Sequence, residues 1–366
     1  MKKFLRSLKV TFIVSVFLLV SIAQAEDNVL NIYNWSDYIG ETTISQFEAE
    51  TGIKVRYDTF DSNEILEAKL LSGNSGYDIV VPSGSFLERQ IKAGIFSEID
   101  KSKLSRYNNL DVEILKAVEK HDSGNTHSVP WMWGTVGIGY NEAALKERLG
   151  DIELNSLDLI FKPEVVSKLA DCGVALLDSP SEVMSVALHY LGLDPNSEDK
   201  GDLDKATELM ISIRPHIKYF QSSQYINDLA NGEICIAIGY NGDVSIAAAR
   251  AEEAGGENIV TYIIPKEGAP VWFDVLGIPA DAKNKDNAHK FIDFILKPEV
   301  IAEVSNYVFY ANPNTAATGL IDEAVTSDPG IYPPEDVKAN LFPLLAHTQK
   351  FDRLLTRAWT KIKTNK

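Results

Sequence analysis

Three short motifs place an acidic residue beside aromatic rings: Trp35-Ser36-Asp37-Tyr38, Tyr240-Asn241-Gly242-Asp243 and Trp272-Phe273-Asp274. A carboxylate forms charge-assisted hydrogen bonds with an ammonium group, and the face of an aromatic ring attracts the same cation. Two acid clusters at opposite ends of a slot would select a diamine of matching length. Each motif alone is also typical of a strand end at the edge of a core, where Asp caps a helix or forms a turn.

Motifs of catalysis and metal binding are absent from the sequence. The six histidines form no H-E-x-x-H pair, and the chain has neither a GxSxG elbow nor a Walker loop. The glycines at 134, 137 and 139 miss the dinucleotide-binding spacing, because position 142 is Glu. We therefore expect no metal, no cofactor and no enzymatic activity. An exported hydrolase or lyase using Asp37 and Asp243 as acid and base is the alternative from another class.

The first 25 residues have the pattern of a secretory signal peptide. Four basic residues precede the apolar run 10–22, and Ala23-Gln24-Ala25 is typical of a cleavage site. A retained membrane anchor is the alternative, but the run is shorter than the roughly 20 apolar residues that span a bilayer. Cleavage would change the net charge from −17 to −21. Such a charge repels nucleic acid and attracts cations, although it also keeps an exported protein soluble.

Chain length and cysteine content indicate how the exported protein is organised. After cleavage the chain has 341 residues, more than a single core usually supports, so we expect two lobes. Cys172 and Cys235 are its only cysteines. In an exported chain this pair favours a disulfide over a metal site, with two free buried thiols as the alternative.

Strands alternate with helices along much of the chain. The predicted strands cover residues 29–33, 53–59, 78–81, 130–141, 233–240 and 275–279. The predicted helices cover residues 41–51, 63–71 and 285–296. This alternation favours βαβ units and a mainly parallel, doubly wound sheet. Aromatic segments near residues 133, 272 and 309 suggest three crossings between the lobes, with a ligand cleft between them.

Five segments together resemble the bacterial periplasmic polyamine-binding proteins, closest to the putrescine receptors of ABC importers. They are NIYNWSDYI, YDIVVPSGSFLERQ, SSQYINDLANGEICIAIGYNGD, WFDV and VFYANPN. The resemblance implies an α/β fold, a two-lobed type II periplasmic binding protein in which each lobe is a mainly parallel sheet flanked by helices, with the ligand in the inter-lobe cleft. We assign residues 26–132 plus 274–308 to lobe one and residues 133–273 plus 309–366 to lobe two.

The resemblance also implies a set of ligand-binding residues. Asp243 and Asp274 correspond to the principal amine partners, and Glu182 corresponds to an acid for the far amine. The remaining implied positions line the pocket as ring walls or hydrogen-bonding groups: Trp35, Ser36, Asp37, Tyr38, Ser83, Ser85, Tyr240, Trp272 and Tyr310.

Two positions depart from the pattern of the putrescine receptors. Tyr240 stands where the family more usually has Trp, and Trp272 stands where putrescine receptors tend to have Phe and spermidine receptors Trp. Ser85 and Phe86, at the positions expected to contact longer ligands, resemble the residues of the putrescine receptors. The expected ligand is therefore putrescine, with a spermidine-preferring receptor as the alternative. None of the three motifs contains an Arg that would bind the carboxylate of a zwitterion.

The resemblance further implies the partners and the location of the protein. We expect a periplasmic monomer that binds a polyamine and docks on an inner-membrane ABC permease, without contact to nucleic acid. A signalling partner in place of the permease is the remaining alternative.

Overall fold

A computed structural model describes residues 28–255 and 258–364. The predicted signal peptide lies outside these residues. Across the described ranges, no helix is both long enough and apolar enough to cross a membrane.

Within the residues that the structure describes, ten β-strands form the centre of the molecule. They are β1 (Val29–Trp35), β2 (Lys54–Phe60), β3 (Ile79–Val80), β4 (Ser128–Asn141), β5 (Val174–Leu176), β6 (Tyr219–Phe220), β7 (Ile236–Tyr240), β8 (Val260–Ile263), β9 (Ala269–Gly277) and β10 (Leu341–Pro343). Their order is β2-β1-β3-β9-β4-β7-β5-β6, with β10 beside β9 and β8 beside β4.

Strand β4 belongs to two sheets at once. Its residues 128–135 pair antiparallel with β9, whereas residues 136–141 lie between β7 and β8, also antiparallel. We call β1–β3, β9, β10 and residues 128–135 of β4 the first sheet, and we call β5–β8 and residues 136–141 of β4 the second sheet. The outer pairings β1–β2, β1–β3, β5–β6 and β5–β7 are parallel. The sheets are therefore mixed, with parallel outer strands, as the βαβ pattern predicts, and antiparallel strands where they meet.

Helices flank both sheets. The α-helices are α1 (Thr43–Thr51), α2 (Asn63–Leu71), α3 (Gly84–Lys92), α4 (Val112–Glu119), α5 (Glu142–Leu149), α6 (Asp158–Phe161), α7 (Pro163–Val166), α8 (Pro180–Tyr190), α9 (Lys200–Ile213), α10 (Gln224–Ala230), α11 (Asn241–Glu253), α12 (Lys285–Ile295), α13 (Pro298–Val308), α14 (Glu323–Thr326), α15 (Glu335–Lys338) and α16 (Gln349–Thr364). Short 3-10 helices cover Lys101–Lys103, Tyr107–Asn109, Ser123–Asn125, Ser167–Leu169, Arg214–His216 and Thr315–Leu320.

Local sequence explains several of these elements. In β1, Leu30 and Ile32 are buried and their neighbours are partly exposed, which is the period-two pattern of a strand with one face on the core. Ser62 caps α2 by accepting a hydrogen bond from the Ile65 N–H, so the helix begins at Asn63 as predicted. Pro298 occupies the first position of α13, where its missing N–H costs no hydrogen bond.

The two cysteines form a disulfide, as predicted. Cys172 lies just before β5 and Cys235 just before β7, and their Cα atoms are 5.5 Å apart. The bond therefore crosslinks the segments that lead into two neighbouring strands of the second sheet.

Candidate functional site

A cavity lies between the carboxyl ends of strands from both sheets. The space between its walls measures about 440 Å³, its mouth included. Ser36, Asp61 and Ser83 follow the parallel strands β1, β2 and β3 of the first sheet. Residues that follow β5, β6 and β7 contribute from the second sheet. This is the edge at which open α/β sheets bind ligands.

Ten of the twelve predicted site residues lie in the wall of this one cavity. They are Trp35, Ser36, Tyr38, Ser83, Glu182, Tyr240, Asp243, Trp272, Asp274 and Tyr310. Five further wall residues were missed from the sequence: Phe60, Asp61, Ser222, Ser223 and Ile226. Asp61 and the two serines directly follow β2 and β6, so polarity at a strand end was the signal that could have found them.

The two other predicted residues lie elsewhere. Asp37 has a backbone φ of 51°, in the left-handed region, and its Oδ1 accepts a hydrogen bond from Arg250 Nη2 at 2.8 Å on the partly exposed rim. Ser85 lies in the wall of a neighbouring cavity, which shares Ser83, Glu182 and Trp272 with the first.

Asp243 is held by two phenols. Its Oδ1 accepts from Tyr310 and its Oδ2 from Tyr225, each at 2.8 Å. Burial raises the pKa of Asp243 to about 7, against the lowering effect of the two phenols. The buried carboxyl therefore takes up a proton at higher pH than an exposed aspartate does, and a nearby cation would favour its charged form.

Glycines make room for these two phenols. A Cβ atom on Gly242 would lie 2.3 Å from the Tyr310 ring, and one on Gly239 would lie 2.4 Å from the Tyr225 ring. Both contacts are shorter than any real side chain tolerates. The glycines of the Ile236–Asp243 segment thus allow the rings to approach closely enough to bond Asp243.

Asp274 is held by two side chains bonded in series, Ser83 and Asn63, which follow strands β3 and β2 of the first sheet. Ser83 Oγ donates to Asp274 Oδ1 at 2.6 Å, and Asn63 Nδ2 donates to Ser83 Oγ at 2.9 Å. The side-chain oxygen Oδ1 of Asn63 also accepts from the Ser83 N–H at 3.0 Å, so Asn63 bonds both the backbone and the side chain of the serine. Burial raises the pKa of Asp274 to about 7, opposed by the Ser83 hydroxyl and the Tyr38 phenol.

Glu182 is the third buried acid of the cavity. It lies in the first turn of α8, and its Oε2 accepts from the Tyr240 phenol at 2.6 Å. Burial raises its pKa to about 7, and the nearby charges of Glu64 and Asp274 act in the same direction. Glu182 and Asp274 line the same cavity, and the negative charge of Asp274 favours the protonated form of Glu182.

Six aromatic residues line the cavity, and five of them, Trp35, Tyr38, Tyr240, Trp272 and Tyr310, form a connected box. Trp35 contacts Tyr240, Tyr240 contacts Trp272, and Trp272 contacts both Tyr310 and Tyr38, at centroid distances between 5.4 and 6.5 Å. These contacts are all edge-to-face, so neighbouring rings turn their faces in different directions. Within residues 28–255 and 258–364, the wall contains no basic side chain. Acids and ring faces thus surround a space suited to a cation with an apolar stem.

Asp61 and Glu64, which follow β2 of the first sheet, each accept a hydrogen bond from a serine on the side of the second sheet, and Asp61 also accepts one from Ser36 on its own side. Ser223 Oγ donates to Asp61 Oδ1 at 2.7 Å, and Ser36 Oγ donates to the same oxygen at 3.0 Å. Ser181 Oγ donates to Glu64 Oε1 at 3.1 Å.

In the described part of the chain, no cluster of His, Cys, Asp and Glu is arranged to hold a metal ion.

Comparison with known proteins places this chain in a family. Residues 42–333 match the model of a bacterial extracellular solute-binding protein. The chain is 56% identical over 344 residues to the putrescine-binding periplasmic protein PotF of Escherichia coli, covering 93% of each chain. It is 53% identical over 346 residues to the putrescine-binding periplasmic protein SpuD of Pseudomonas aeruginosa, covering 94% of each chain.

A solved structure has the same fold. It is the spermidine/putrescine ABC transporter substrate-binding protein PotD of Streptococcus pneumoniae, with a TM-score of 0.73 and 31% identity over 92% of this chain and 99% of that one. The predicted two-lobed α/β fold and the resemblance are thereby confirmed. Because these relatives bind solutes, the alternative of an exported hydrolase is not supported. The chain belongs to the bacterial extracellular solute-binding proteins.

Proposed function

We propose that this protein is the substrate-binding component of a polyamine ABC importer and that it captures putrescine in the cavity described above. The observation that carries the proposal is that three buried acids, Glu182, Asp243 and Asp274, share an aromatic cavity whose described wall holds no basic side chain. The names of the relatives that bind putrescine support the same ligand.

The charges account for a diamine better than for other solutes. A buried carboxylate without a countercharge is costly, and its raised pKa expresses that cost. A diamine would supply one ammonium to Asp243 and the other to Asp274 and Glu182. Its methylenes would pack against the rings, which also attract the cationic ends. A zwitterionic amino acid would bring a carboxylate into a wall without a cation to receive it.

Binding would be coupled to closure of two lobes. We keep residues 26–132 plus 274–308 as lobe one and residues 133–273 plus 309–366 as lobe two. The contacts Arg250–Asp37, Ser223–Asp61 and Ser181–Glu64 then join the lobes around the cavity. A ligand that touches both lobes favours the closed form, because its affinity for that form is higher. The closed monomer would then deliver its ligand to a membrane permease from the periplasm.

Isothermal titration calorimetry of the ligand-stripped protein tests the proposal. We expect tight one-to-one binding of putrescine and weak binding of arginine. Butylamine, which keeps the stem but has one ammonium, and 1,4-butanediol, which has none, serve as matched controls and should bind progressively more weakly. Absence of binding to putrescine, cadaverine and spermidine would overturn the proposal.

Spermidine preference is the second candidate, favoured by the neighbouring cavity. That cavity adjoins the first at Ser83, Glu182 and Trp272, and Ser85 and Phe86 lie in its wall. It could accept the longer arm of a triamine. Replacing Trp272 by Phe should then weaken the binding of spermidine relative to that of putrescine. The ratio of the spermidine dissociation constant to the putrescine dissociation constant should therefore rise. An unchanged ratio would show that this wall does not read ligand length.

A further inference from the structure

The segment Asp61–Glu64 follows β2 and includes the first residues of α2. Several of its side chains bond residues of the cavity wall or their neighbours. Asp61 accepts hydrogen bonds from Ser36 and Ser223, and Asn63 holds Ser83. Glu64 accepts from Ser181, which precedes Glu182 on α8. Apart from the Ser62 cap of α2, the side-chain hydrogen bonds of this segment therefore end on a wall residue of the cavity or on the neighbour of one.

Glu64 stands out because its carboxyl is incompletely paired. Oε1 accepts from Ser181 at 3.1 Å, whereas Oε2 is buried without a hydrogen-bond partner. Burial raises the pKa of Glu64 above its ordinary value. A buried carboxylate oxygen without a donor strongly favours protonation or the approach of a cation.

Glu64 and Glu182 come from opposite sides of the cleft. Glu64 lies on α2, which follows β2 of the first sheet, and Glu182 lies on α8, which follows β5 of the second sheet. The charge of Glu64 acts on Glu182 in the same direction as burial does. The other titratable or charged groups that act on this pair are Arg89 of α3, Tyr240 of β7 and Asp274 of β9, and His121 lies with Glu182 in the wall of the second cavity.

We propose that Glu64 is a positioning residue of the cation site, an acid that acts through Glu182 and couples ligand capture to the release of protons. In the closed, ligand-free protein, the two acids and Asp274 cannot all be charged at low cost. An incoming ammonium group compensates them, and the protons held there leave. Glu64 need not touch the ligand for this effect, because it lies outside the wall of the main cavity and is bonded to Ser181, the neighbour of Glu182. This inference rests on the proposed function and adds a pH-dependent element to it.

The test is putrescine titration calorimetry at about pH 7 in two buffers of different ionisation enthalpy, which counts the protons released on binding. Glu64→Gln keeps the size of the side chain and an acceptor for Ser181 but removes the charge. We expect this variant to release fewer protons on binding. We also expect the ratio of its putrescine dissociation constant at about pH 6 to that at about pH 8 to be about threefold smaller than in the parent, which is the effect of lowering the pKa of Glu182 by about half a pKa unit.

Three further variants separate the role of charge from that of shape. Glu64→Asp keeps the charge and should keep the parent's proton release. Glu64→Ala removes the same charge without relying on amide geometry, and it replaces Glu64→Gln if that variant fails to fold. Glu119→Gln, at the exposed end of α4, removes one negative charge outside the cavity and should match the parent.

The outcomes distinguish the inference from the proposed function. If the parent protein does not bind putrescine, the proposed function is wrong and the inference falls with it. If the parent binds and releases protons but Glu64→Gln behaves identically, the inference alone is wrong. If Glu64→Asp loses proton release to the same extent as Glu64→Gln, the residue acts through its shape, and the inference is again overturned.

Discussion

The two aspartates of the cavity reach the same electrostatic state by different constructions. Asp243 is bonded by the phenols of Tyr225 and Tyr310, large rings that fit only because Gly239 and Gly242 have no side chains. Asp274 is bonded by Ser83, a small hydroxyl that Asn63 orients. Burial nevertheless raises the pKa of each to about 7. The comparison teaches that the burial of the carboxyl, more than the identity of its donor, sets the charge of such a site.

Removing one acid at a time is the strongest way to compare the two ends. Asp243→Asn and Asp274→Asn should each weaken putrescine binding by roughly 2–5 kcal/mol, because one ammonium loses its buried charged partner. Calorimetry measures both, and thermal unfolding of the ligand-free variants checks the fold. Equal losses would indicate that the ends are equivalent. Unchanged affinity in both variants would remove these residues from the site.

The pH dependence of binding should be the next largest effect. The ammonium groups of a diamine stay charged well above neutral pH, as lysine does. Below about pH 7, protons compete with them for Asp243, Asp274 and Glu182. Putrescine affinity should therefore fall as the pH drops from about 8 to about 6, by up to about tenfold per unit for each proton released. A flat calorimetric profile would contradict the raised pKa values.

Stability without ligand should show the opposite trend. The folded protein holds these protons to higher pH than the unfolded chain, whose carboxyls titrate near their ordinary values of 3.8 and 4.5. The contribution of these acids to the free energy of unfolding should therefore fall as the pH rises from about 4 to about 7, whereas the lowered pKa values of His121 and His347 act in the opposite direction. Urea titration across this range measures it. If Asp274→Asn weakens the trend more than Asp243→Asn does, the two ends differ in how strongly they hold protons.

Gly242→Ala should disturb one end only. The added Cβ would push the Tyr310 ring away from Asp243, at a cost of about 1–3 kcal/mol in the free energy of unfolding. Putrescine affinity should fall as well, because Asp243 loses a donor that orients it. Gly319→Ala is the matched control, since a Cβ there meets nothing within 4 Å. Equal unfolding energies for the two variants would show that the close approach of Tyr310 is not needed.

Arg250→Gln should have the smallest effect. Arg250 pairs with Asp37 on the rim, and the charges of both act on Asp243 rather than on Asp274. Because both side chains are more than a third exposed, the pair should contribute no more than about 1 kcal/mol to the closed form. Stopped-flow measurement of putrescine release should show a modest, salt-dependent acceleration. A change as large as that of Asp243→Asn would mean that the rim pair controls closure.

Local chemistry made much of the fold predictable from the sequence. The strands at 29–33 and 53–59 and the helix at 63–71 were recognisable because alternation, capping and turn residues all act within a few positions. The antiparallel arrangement of β4 and β9 was not recognisable, since it depends on where distant segments pack. Helix α13 was missed as well, although Pro298 at its first position was an available signal.

The site was predictable where acids and rings lie side by side in the chain. Asp243 and Asp274 followed from such motifs, and both lie in the cavity wall. Asp61 and Ser223 were missed because neither belongs to the three acid–aromatic motifs, although Phe60 directly precedes Asp61 and Ser223 lies in a quoted segment two positions before Tyr225. Their contact with each other joins segments 162 positions apart. Asp37 shows the opposite limit: its motif is intact, but the left-handed backbone at this residue places it on the rim, paired with Arg250.

The position of the disulfide has a consequence for how the molecule would come apart. Cys172–Cys235 links chain segments beside β5 and β7, both in the second sheet, and leaves the first sheet without a covalent tie. A crosslink stabilises mainly by restricting the unfolded chain, so its benefit falls on one half of the protein. Reduction of the bond should therefore lower the resistance of the second sheet to denaturation and leave that of the first sheet largely unchanged.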